Sequence, residues 1–171
     1  MKIRLAALLA CMALSAPLAA QQFDTISFGV DGGYPPFDVL APSGEITGFD
    51  IDIANALCTQ LKAKCVFVKQ PFESMIAALN AHKFDAIIAS LNITDERKKE
   101  VDFTDRYYRS AAQLVARKGS PLLPDAASLK GKTVGVQTGS THEAFAKANW
   151  ANHGVKIVGY ANQDNVYLDL L

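Results

Sequence analysis

Between Thr25 and Ala89 the chain alternates short apolar runs with segments of helical period, and this alternation restricts the fold more than any other feature. Thr25 to Val30 (TISFGV), Cys65 to Lys69 (CVFVK) and Phe84 to Ala89 (FDAIIA) read as strands, the last apolar enough for burial on both faces. Between them, Asp50 to Lys62 reads as a helix, with Ile53, Leu57 and Leu61 at four-residue spacing as its expected buried face. Asp50 and Asp52 in its first turn suit the positive end of the helix dipole. Phe72 to Ala81 reads as a second helix, with Phe72, Ile76 and Leu79 on one side. Strand–helix–strand–helix–strand is the signature of an α/β unit with a largely parallel sheet.

The pattern then resumes. Asp95 to Val101 is expected as a short helix and Gln113 to Arg117 (QLVAR) as a strand. Strands at Thr133 to Val136 and Lys156 to Val158 flank a helix from His142 to Trp150, and Gln163 to Leu171 opens another. The expected division is a leader at 1–20, a first α/β lobe at 21–110 and a second, incomplete lobe at 111–171.

The leader has its own composition. Lys2 and Arg4 precede an apolar run from Leu5 to Ala16, and Pro17-Leu18-Ala19-Ala20 follows, the layout of a secretory signal peptide. The run is too short to span a bilayer. Cys11 as a lipid-modified residue is the alternative, but Leu8-Leu9-Ala10 matches that signal poorly and the apolar stretch continues beyond it. Lys2 and Arg4 are the only charges in the leader, so the rest carries fifteen basic and seventeen acidic residues. A net charge of −2 offers neither nucleic acid nor anionic lipid a basic surface. Export also changes how Cys58 and Cys65 read: as a disulfide in an oxidising compartment, or as two buried thiols. His82, His142 and His153 show no metal-ligand spacing.

Three loops follow strands, where open α/β sheets bind ligands. They are Asp31 to Tyr34, Ser90 to Arg97 and Gln137 to Thr141. Together they bring a carboxylate, an aromatic ring, hydroxyls, a guanidinium and a helix N-terminus. No nucleophile–base pair appears among them, and the mixture suits holding a zwitterion better than breaking a bond.

Five segments, in order, resemble the family-3 solute-binding proteins that serve polar amino-acid ABC importers. They are Tyr34-Pro35-Pro36-Phe37, Gly48 to Cys58 (GFDIDIANALC), Phe84 to Ile88, Ile93-Thr94-Asp95-Glu96-Arg97 and Tyr160 to Asp164 (YANQD). The similarity runs from Thr25 to the end and points to the lysine/arginine/ornithine- and histidine-binding branch. It implies a periplasmic, monomeric type II binding protein without cofactor, whose two α/β lobes close over one basic amino acid and then dock on a membrane permease. It implies a hinge near Ser110 to Arg117 and a Cys58–Cys65 disulfide.

The resemblance also implies site roles. Arg97 would clamp the ligand α-carboxylate bidentately, with backbone N–H groups at Ser140 and Thr141 completing that site. Ser90 and Asn92 would contact the α-amino and carboxylate groups. Asp31 would pair with the basic side chain, and Tyr34 and Phe72 would sandwich it through apolar and cation–π contact. Each residue also has a plainer reading: Asp31 as a turn former before Gly32-Gly33, Arg97 as part of a charged surface run, Ser140 as a helix cap, Phe72 as core. Ala89, Gln137 and His142 stand where the resembled branch has serine, leucine and glutamine. That family continues past Leu171, and its ammonium-binding acid has no counterpart here. Two other readings stand beside the receptor: an elimination enzyme of the cyclohexadienyl dehydratase type, with His142 as its acid or base, and a truncated chain without function.

Overall fold

The computed structural model describes residues 23–171. The expected leader, Cys11 included, lies outside the described residues. The first unit is built on β1 (Thr25–Val30), which forms parallel ladders with β5 (Lys64–Lys69) on one side and β6 (Ala86–Ile87) on the other. Phe28 stands opposite Phe67 and Ala86. A small antiparallel sheet of β2 (Gly33–Tyr34), β3 (Asp38–Leu40) and β4 (Ile46–Thr47) follows β1. Helix α1 (Phe49–Leu61) crosses from this small sheet to β5, and α2 (Met75–Asn80) crosses from β5 to β6. The parallel α/β sheet expected from the alternation is present.

A second unit has a separate core. Helix α3 (Ala126–Leu129) precedes the parallel pair β7 (Thr133–Gln137) and β8 (Lys156–Tyr160), with α4 (Thr141–Asn149) between them and α5 (Gln163–Leu170) after. Leu129, Val134, Val136, Ala146, Trp150 and Val155 form its buried cluster. The first unit buries Phe28, Val30, Ile51, Ala54, Cys58 and Ile88 in one cluster, and Met75, Ala78, Phe84 and Ala89 in another.

Five local expectations are corrected. The buried face of α1 is Asp50, Ile51, Ala54 and Cys58, whereas Leu57 and Leu61 are about half exposed, at 49% and 54%. Sulfur decides the rotation: Cys58 is bonded to Cys65 on β5, with Cα atoms 5.8 Å apart, which turns that stripe toward the sheet. In the chain-entropy account, closing so short a loop stabilises the fold by about 2.5 kcal/mol. Gln113 to Arg117 is not a strand: Leu114 packs on the second core, but no ladder partner lies beside the segment among the described residues. The strand at 84–89 shortens to Ala86–Ile87, since Ser90 turns the chain into left-handed backbone at φ 51°. The helices expected at 72–81 and 95–101 shrink. Phe72–Ser74 is a 3₁₀ turn before α2, and only the 3₁₀ turn Arg97–Lys99 forms at the second position.

Candidate functional site

The C-terminal ends of β1, β6 and β7 point at one cleft between the two units. Asp31, Tyr34, Phe72, Ser90, Asn92 and Ser140 line it, together with Ala89, Gln137, His142 and Gln163. About 380 Å³ of space not filled by atoms, part of it open solvent, lies among them. Six of the eight residues expected at the site therefore meet there, and Arg97 and Thr141 sit at its edge.

Arg97 spans the cleft. Its Nη1 donates to Asn92 O at 2.7 Å and its Nη2 donates across to Gly139 O at 2.9 Å. The guanidinium also lies over the Phe72 ring, 5.7 Å from its centre. Burial lowers its pKa, yet guanidinium stays charged at any physiological pH. Across the cleft, Ser140 caps α4, accepting from Glu143 N–H at 3.1 Å, while Thr141 Oγ1 donates to Asn92 Oδ1 at 3.3 Å. The helix-cap reading of Ser140 is thus realised. Its own N–H donates to Gln137 O at 3.3 Å.

Asp31 is 6% exposed, and its Oδ2 accepts from Gln137 Nε2 at 2.8 Å, a buried bond between the units. Burial raises its pKa, opposed by the Gln137 bond, the Phe72 backbone N–H and the charge of Lys69. Tyr34 and Phe72 flank the same space, and the Tyr34 ring stacks on Phe37, which stacks on Tyr108. Ser90, at the cleft wall, donates its Oγ–H to Asp50 Oδ2 at 2.8 Å. Asp50 is fully buried and also accepts from the Tyr107 hydroxyl at 3.0 Å. Burial raises the Asp50 pKa, while the Ser90 and Tyr107 bonds favour its charged form.

Sequence reasoning missed the part Asp50 plays here, because a first-turn acid reads as a helix-dipole residue; it holds the Ser90 turn from below. Gln137 stood out in the sequence as the first residue of the third loop and as a departure from leucine, but its partner Asp31 is 106 positions away. Gln163 gave no signal beyond its place in the Tyr160–Asp164 segment.

Two glycines set how closely the units approach. A Cβ on Gly33 would lie 2.7 Å from Asn162 Cβ, and one on Gly139 would lie 2.9 Å from Glu73 Cα. Gly139 also has φ 77°, which costs a residue with a side chain about 1 kcal/mol or more. Gly139→Val is expected to hold the units apart, raising the radius of gyration measured by solution X-ray scattering. An unchanged radius would show that the approach is not limited there.

Residues 26–165 match the profile of the bacterial extracellular solute-binding proteins, family 3. The chain is 48% identical over 147 residues to the lysine/arginine/ornithine-binding periplasmic protein of Escherichia coli K12, covering 86% of this chain and 56% of that protein. It is 42% identical over 170 residues to the L-arginine-binding protein of Pseudomonas aeruginosa, covering 99% of this chain and 65% of the relative. The chain thus spans little more than half to two-thirds of the length of these relatives. Among solved structures, an ancestral arginine-binding protein bound to arginine superposes with a TM-score of 0.82 at 38% identity, over 87% of this chain and 66% of that one. The fold is that of the type II two-lobed periplasmic binding proteins, its two units being the lobes. With the family profile spanning both lobes and every strand lining the cleft, the chain belongs to family 3 of the bacterial extracellular solute-binding proteins.

Proposed function

We propose that this chain captures a basic amino acid in the periplasm and presents it to an ABC permease, acting as a monomeric receptor and not as a catalyst. The observation that carries the reading is a cleft lined by a buried carboxylate, Asp31, and bordered by a charged guanidinium, Arg97. A basic amino acid has the complementary pair of charges at its two ends. Tyr34 and Phe72 between them supply flat apolar walls for the alkyl stem. Protein groups already partner both charges. The Gln137 amide sits on Asp31 as the ligand cation would, and Gly139 O sits on Arg97 as the carboxylate would. Binding would exchange two bonds that each carry one charged partner for two ion pairs with charge on both sides. Ser140 and Thr141, at the N-terminus of α4, would add backbone donors for the carboxylate, with the Ser140 N–H exchanging Gln137 O for it.

The division into lobes at 21–110 and 111–171 and export through the leader at 1–20 belong to the same proposal. The relatives' names as periplasmic, arginine- or lysine-binding proteins support it. Calorimetric titration of the chain from Gln21 onward with arginine, lysine, ornithine, histidine and glutamine tests it. A basic ligand is expected to bind at least about 100-fold more tightly than glutamine, a gap of about 2.7 kcal/mol. Preference for glutamine, or turnover of a prephenate-like substrate without amino-acid binding, would overturn it.

A further inference from the structure

Behind the loop that carries Asp31 and Tyr34 lies a second carboxylate that does not line the cleft. Asp38, on β3, is fully buried. Its Oδ1 accepts from Tyr34 N–H at 3.1 Å, and its Oδ2 is buried with no hydrogen-bond partner. The Asp31 backbone N–H, like that of Tyr34, favours its ionised form. Buried acids are normally paired with a cation or fully hydrogen-bonded. Asp38 is neither: the groups whose charge it feels are Asp31, on its own hairpin side, Asp50 on α1, and the hydroxyls of Tyr34 and Tyr108. Lys69, on β5, acts on Asp31. Buried Asp38 and Asp50 thus lie close enough to Asp31, which lines the cleft, for Asp38 to feel both charges, and the two salt bridges among the described residues, Lys98–Asp95 and Lys147–Glu143, involve none of the three.

An arrangement this costly in charge is relieved by a cation arriving from the cleft. We propose that Asp38 is a specificity-determining positioning residue: it holds the Asp31–Tyr34 loop by its backbone and places a second negative charge behind Asp31 that favours a cationic ligand side chain over a neutral one. The inference rests on the basic-amino-acid reading above and names a residue that touches no ligand in that reading. Burial, then the charges of Asp31 and Asp50, push the Asp38 carboxyl up to about 6. A raised folded-state pKa means that Asp38 is best tolerated when protonated, so its effect on stability is unfavourable as pH rises through about 6. A bound cation reverses this by favouring the charged form.

The test compares Asp38→Asn, which keeps an oxygen for the Tyr34 N–H but loses the charge, with the parent chain, using arginine and glutamine between pH 5 and pH 8. Arginine stays charged throughout. At pH 8 the variant is expected to bind arginine about 10-fold more weakly, with the gap closing toward pH 5, while glutamine affinity changes less than about twofold. Equal losses for arginine and glutamine, or no arginine loss at pH 8, would overturn the proposal and leave Asp38 a structural residue. Asp38→Ser, a smaller neutral acceptor, repeats the comparison should the first variant fold poorly. A second readout needs no ligand: the melting temperature of the parent chain is expected to fall, relative to Asp38→Asn, as pH rises from 5 to 8. Parallel melting curves would count against the charge. If the parent chain binds neither amino acid, the receptor reading fails, whereas the ligand-free melting comparison still decides whether Asp38 carries the unrelieved charge.

Discussion

Arg97→Ala is expected to lower affinity for every amino acid the chain binds by about 100- to 1,000-fold, or about 3–4 kcal/mol. The guanidinium bridges the lobes through Asn92 O and Gly139 O, so its two Nη groups are held in place at the edge of the cleft. Preorganisation of this kind means that little is lost in ordering the side chain on binding. Replacing the two carbonyl partners by one carboxylate adds a full opposing charge inside a partly buried site. Arg97→Lys keeps the charge but loses the fork, and is expected to recover only part of the loss. The losses should be uniform across arginine, lysine, histidine and glutamine, because all present the same α-carboxylate. Calorimetry of both variants against that panel checks this, with a thermal melt to confirm that the fold survives. A loss confined to basic ligands would place Arg97 elsewhere in the site.

Asp31→Asn gives the opposite pattern. Arginine and lysine affinity should fall by about 100-fold, while glutamine affinity changes by less than about threefold. The substitution is close to isosteric, and Gln137 Nε2, 2.8 Å from Oδ2 in the parent, keeps an oxygen to donate to. The difference between ligands is therefore an electrostatic one. It is large because Asp31 is 6% exposed, where water screens poorly. Burial raises its pKa, so basic-ligand affinity should also weaken as the solution is acidified and Asp31 takes up a proton. Arginine titrations at descending pH on parent and variant measure this directly: the parent's decline should be largely absent in Asp31→Asn. Equal losses for glutamine and arginine would reduce Asp31 to the turn former that its place before Gly32-Gly33 also allows.

Much of this site was legible in short segments. The residue types at Asp31, Tyr34, Arg97 and Ser140 state a charge, a ring, a fork and a cap, and the strand–loop alternation places them beyond strand ends. The disulfide was legible as a possibility from two cysteines in an exported chain, and it is present. Errors came where a local pattern competed with a distant partner. Ile53, Leu57 and Leu61 form a regular apolar row, yet the Cys58–Cys65 bond turns the adjacent row inward. Residues 113–117 have the alternation of a strand, but no strand exists without a neighbour to complete its ladder. Ser90 lines the cleft as its residue type suggested, and the bond from its Oγ to buried Asp50 was not legible, because Asp50 lies 40 positions away.

The sequence by itself determined the class of fold, the family and the inventory of charges, because periodicity, turn chemistry and residue type act over a few neighbouring residues. Only the tertiary structure decided which of those charges are buried and what answers them. Asp31 meets Gln137 across 106 positions, Arg97 reaches Gly139 across 42, and Asp38 is sealed behind the loop with one oxygen unanswered. Desolvation and pairing are properties of the space around a group, and that space is enclosed only when the two lobes fold against each other.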